Sequence, residues 1–120
     1  MAVIAKSFDS PDETRTPDKT KVEVVDLNGV KAGRFTFQPG WKWSECIKPV
    51  AGTDSCQAHH VGVIVSGGGI HVVTDDGSEM DCTPGNAYVI EPGHDAWVIG
   101  NDPVVAYEFD SSAAQSYAKS

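Results

Sequence analysis

The sequence predicts an all-β fold, a small barrel or sandwich, on three observations. Short apolar runs recur along the chain and end in Gly or Pro-Gly, as at Gly67-Gly68-Gly69, Pro84-Gly85 and Pro92-Gly93. An Asn28-Gly29 pair sits between two such runs, the strongest short-range hairpin signal. No segment sustains a long helical period. With 120 residues, 40% apolar and 22% charged, the chain is sized for one domain with its own core.

The elements follow in order. Residues 1–20 hold Pro11, Pro17 and many polar side chains, and read as an N-terminal arm. Residues 21–27 form a strand, Asn28-Gly29 turns it, and 30–38 return until Pro39-Gly40 stops them. Residues 41–49 read as a further extended piece, which by alternation would place Trp41 and Trp43 on one face. The stretch 51–55 is turn-rich and exposed. Strands are then expected at 60–65, 70–74, 79–82, 87–90, 96–99 and 104–109. The organisation is an arm (1–20), a barrel (21–110) and a C-terminal tail (111–120).

The net charge of −8 argues against a nucleic-acid or anionic-membrane partner, because phosphate contacts need Lys/Arg patches. No apolar stretch approaches the roughly 20 residues of a membrane span. The amino end lacks the apolar core of a secretory signal, so a cytoplasmic protein is expected. Cys46, Cys56 and Cys82 show no paired spacing, and Cys82 reads as a small buried hydrophobe.

Two glycine-punctuated blocks carry histidines: His59-His60-Val61-Gly62-Val63-Ile64-Val65-Ser66-Gly67, and Gly85 through Glu91-Pro92-Gly93-His94-Asp95-Ala96-Trp97. In this pattern the chain resembles the cupin superfamily. The second block matches that family's glycine, five residues, Pro-x-Gly motif, with Glu91 in the proline's place. Pro39-Gly40-Trp41-Lys42-Trp43-Ser44-Glu45 and Pro92 to Trp97 are similar to strings in short single-domain bacterial cupins of uncertain function. The resemblance implies a jelly-roll (double-stranded β-helix) barrel over roughly residues 34–109.

It also implies where ligands would stand. Counting back from Gly67 puts His60 at the motif's glutamate. Counting forward from Gly40 puts Cys46 and Lys48 at its two histidines, whereas counting back from His60 puts Asp54 and Cys56 there. The second motif's histidine falls on Ala96, with His94 two residues earlier and on the same strand face. Cys46, His60 and His94 are therefore candidate metal ligands, with Cys56 or Glu45 as a further donor. Imidazole and thiolate suit Zn, Fe, Ni or Cu rather than Mg²⁺ or Ca²⁺.

His59 alternates to the opposite face, and His71 reads as an ordinary exposed strand residue. Trp43, Tyr88 and Trp97 are candidate pocket walls for a small organic ligand, with Trp41 assigned to the core. Glu45 is the candidate acid/base. The resulting expectation is a small cupin holding a divalent transition metal and a small-molecule ligand. As an enzyme it would be of the metal-dependent oxygenase or isomerase type. The alternative is a non-catalytic binding or sensing cupin with a degraded metal site. A homodimer is expected, since such barrels pair exposed edges.

Overall fold

The computed structural model describes residues 3–109; the tail expected at 111–120 and residue 110 lie outside them. Nine strands and two four-residue helices are formed among the described residues: β1 (Glu13–Arg15), β2 (Thr20–Leu27), β3 (Val30–Phe37), α1 (Trp43–Cys46), α2 (Lys48–Ala51), β4 (His60–Ser66), β5 (Ile70–Thr74), β6 (Glu79–Cys82), β7 (Ala87–Ile90), β8 (His94–Val98) and β9 (Val104–Phe109). The strands make two antiparallel sheets, β1-β2-β3-β9-β4-β7 and β6-β5-β8. From β4 onward the chain passes repeatedly between the sheets, the jelly-roll arrangement.

Local chemistry sets these elements. Asn28 and Gly29 both take positive φ (61° and 101°), which a two-residue hairpin turn needs, and Leu27 then pairs with Val30. Within β8 and β9 every second residue points inward: His94, Ala96 and Val98, and Val104, Ala106 and Glu108, are buried. Phe35, Trp43, Ile47, Ile64 and Val104 fill the space between the sheets.

Two segments depart from the sequence expectation. Residues 41–49 do not continue as a strand; after Lys42 the chain coils into α1. Trp43, Cys46 and Ile47, three and four residues apart, then share one buried face, and the Asp95 Oδ1 accepts the Ser44 N–H at 3.1 Å at the helix start. Alternation therefore does not govern Trp41 and Trp43. Within the segment expected as an arm, residues 13–15 pair with β2 and extend the large sheet. Upstream of them Phe8 packs on Tyr107 at 5.2 Å, and Asp9 pairs with Arg34 at 2.9 Å.

Candidate metal centre

Three buried side chains converge between the sheets: Cys56, His60 and His94, whose ligand atoms all lie within 4.8 Å of one another. Backbone pairing brings them there. Cys56 N donates to His94 O and Gly93 N to Cys56 O, both at 2.7 Å, forming an isolated bridge that sets Cys56 beside the start of β8. His60 opens β4 four residues later, and its ring meets that of His94 edge-on at 5.1 Å between centroids.

Each imidazole is oriented from behind. The His60 Nδ1–H faces both oxygens of Glu108 at 3.0 Å, and the His94 Nδ1–H donates to Glu91 O at 2.8 Å. Both rings thus turn Nε2 toward the cluster, the orientation that an Nε2 metal ligand requires. His60 Nε2 lies 3.7 Å from Cys56 Sγ. A tetrahedral zinc with ordinary Zn–S and Zn–N bonds would set such atoms roughly 3.5 Å apart. The donor set, one thiolate and two imidazoles, fits a borderline-soft transition ion.

Glu108 itself is held by a row of residues across three strands. Tyr88, Gly62 and Glu108 stand opposite one another on β7, β4 and β9. The Tyr88 hydroxyl donates to Glu108 Oε2 at 2.7 Å. Gly62 lets β4 approach β9 this closely: the nearest contacts of a Cβ there would be the Tyr107 carbonyl oxygen, then Glu108 Cγ at 2.7 Å and the Tyr88 oxygen at 3.1 Å.

Charge is redistributed accordingly. Burial disfavours the Cys56 thiolate, but hydrogen bonds from His60 and His94 outweigh it and hold the thiol down at about 6. Burial likewise disfavours a charged His60, yet the Glu108 carboxylate and Cys56 raise it to about 10. Both shifts favour a thiolate–imidazolium pair backed by a carboxylate.

Of the other candidates, Trp43 and Tyr88 line a small cavity that also borders His60 and His94. Cys46 lies apart from the cluster. It sits on the buried face of α1, where burial pushes its thiol up. Glu45 points from the same helix into solvent, and the exposed Asp54 lies 3.9 Å from Lys48. Trp97 alternates to the outer face of the small sheet, stacked on His71 at 4.8 Å with Lys42 Nζ 5.2 Å from its ring centre. Ala96 is buried at the motif position and offers no donor. Among the described residues, the supporting carboxylate Glu108 has no counterpart in the sequence reading. Its signal was a lone acid in the inward column of Val104 and Ala106.

No protein-family model matches the sequence, and neither does any curated protein. Solved structures do match in fold. A protein of unknown function from Rhizobium leguminosarum bv. viciae superposes with a TM-score of 0.61 at 17% identity, covering 91% of this chain and 97% of that one. A cupin domain from Bordetella pertussis gives 0.53 at 20% identity, over 80% and 96%. Oxalate decarboxylase from Lactobacillus farciminis, in a formate complex, gives 0.56 at 18% identity, over 81% of this chain and 30% of that one. No helix among the described residues is long and apolar enough to cross a membrane.

Proposed function

We propose that this chain, whose fold is that of the cupins, is a metal-binding barrel in which Cys56 Sγ, His60 Nε2 and His94 Nε2 hold a divalent transition ion. The observation that carries this is the convergence of three buried donors whose imidazoles are both turned, Nε2 inward, by partners on Nδ1. Three protein donors leave a coordination position for a small molecule, the pattern of catalytic rather than closed structural sites. Such an ion would supply Lewis-acid polarisation or an acidified bound water. The chain's own contribution is to orient. Glu108 keeps the proton on His60 Nδ1, Tyr88 and Gly62 keep Glu108 in place, and the apolar walls exclude bulk water.

Ala96 at the motif's ligand position supports a second reading, a barrel that binds or senses a small molecule without turning it over. Exposed Val61, Val65 and Val89 on the large sheet support a homodimer, and three free cysteines support a reducing compartment. The test is metal analysis of protein purified without an affinity tag. About one equivalent of Zn, Fe, Ni or Cu, lost in the His60→Ala, His94→Ala double variant, is expected. Metal-free protein whose melting temperature ignores added divalent ions would overturn it.

A further inference from the structure

The cavity beside the histidines is small. It leaves about 30 Å³ for the centre of a water-sized molecule. A single water needs on the order of 10–15 Å³ by that measure, and a cavity that accepts benzene is about 150 Å³. An aromatic or sugar ring does not enter without displacing Phe37, Trp43 or Ile64, which are all buried.

The cavity wall also carries an unmet donor. Trp41 lines it and is only 3% exposed, and among the described residues its indole Nε1–H has no hydrogen-bond partner. A buried donor left unpaired costs about 1–3 kcal/mol, so an acceptor is expected to occupy the space beside it. The polar side chains on the same cavity are His60, His94, Glu108 and Tyr88, of which Glu108 already accepts from His60 and Tyr88. Cys82, Tyr88 and Ile90 line both this cavity and a wider outer groove, so it shares a wall with solvent-facing space.

From size and donor together we infer that the barrel selects a ligand of two or three heavy atoms with a terminal hydrogen-bond acceptor. It lies beside the ion and receives the Trp41 indole N–H, which makes Trp41 a specificity-determining residue. This rests on the metal reading above and narrows its ligand to the smallest class.

The test uses the full chain loaded with Co²⁺, whose visible bands report the site. Azide is the three-atom probe and imidazole the five-membered-ring probe. Azide is expected to shift the bands saturably, imidazole to leave them unchanged, and Trp41→Phe to weaken azide roughly tenfold with Co²⁺ affinity unaltered. Bands that ignore azide, imidazole binding as tightly as azide, or full azide affinity in Trp41→Phe would each overturn the inference while leaving the metal reading standing. Failure to take up Co²⁺ at all appears before any probe is added and removes both. Where Trp41→Phe does not fold, the comparison of the two probes on the unaltered chain decides.

Discussion

Two histidines in this barrel each face carboxylates, and their surroundings give them different work. His71 stands on the outer face of the small sheet between Asp81 at 2.5 Å and Glu79 at 2.7 Å, both exposed. His60 stands inside, against a single buried Glu108, with Cys56 on its other nitrogen. In His71 both ring nitrogens are taken by the carboxylates, so the ring bridges β5 and β6 and turns neither nitrogen toward another soft donor. In His60 the carboxylate takes one nitrogen and leaves the other facing a thiolate and a second imidazole. Having one acidic neighbour rather than two, together with burial, separates the proposed metal ligand from a surface clamp.

The largest expected effect comes from breaking the inner pair. Glu108→Ala removes the carboxylate behind the buried His60 and should cost about 3–5 kcal/mol, measured by chemical denaturation of the metal-free protein. Cys56→Ser should keep the fold but lower zinc affinity by more than about 100-fold in competition with a chromophoric chelator. His71→Ala in the same assay should change it by less than twofold. Tyr88→Phe acts one step back, on the bond to Glu108. The hydroxyl's loss should cost about 1.5 kcal/mol and weaken zinc binding about tenfold. If Tyr88→Phe lowers stability but leaves zinc affinity unchanged, Glu108 is a packing group and not an orienting one.

The two sites should also differ in pH response. Cys56 is a thiolate above about pH 6, whereas His60 stays protonated up to about pH 10. Metal uptake must therefore displace the His60 Nε2 proton. Zinc affinity should climb toward tenfold per pH unit across that window and level off above it. His71, raised by Asp81 and then Glu79, contributes stability that is full below the ordinary histidine value of 6.5 and fades as pH rises through its raised one. That contribution should be at most about 1 kcal/mol and should shrink with salt, because the group is solvent-screened. It is the smallest of the set.

Much of the fold was legible because backbone punctuation is local chemistry. Asn28-Gly29, Gly67 and Gly85 mark turns by their positive φ whatever surrounds them, and strands such as 70–74 and 104–109 lie where alternation puts them. The helix at Trp43–Cys46 was not legible. Four residues are too few to show a period, and Trp43-Ser44-Glu45 alternates as a strand would. What decides is a tertiary bond, from the Ser44 N–H to Asp95, fifty-one residues away. Cys46 entered the candidate set by counting the motif forward from Gly40, a count that takes no account of how 41–49 fold. His60, His94 and Cys56 were visible as residue types near glycine landmarks. Their convergence depends on the Cys56–His94 bridge, which no local pattern announces. Glu108 was readable in principle as an acid in an apolar column, but only its distance to His60 says what it does.

The most direct measurement is X-ray absorption at the zinc edge of the zinc-loaded protein. One sulfur at about 2.3 Å and two imidazole nitrogens at about 2.0 Å are expected, with the sulfur lost in Cys56→Ser. A shell of oxygen and nitrogen without sulfur, unchanged by that substitution, would contradict a Cys56–His60–His94 centre.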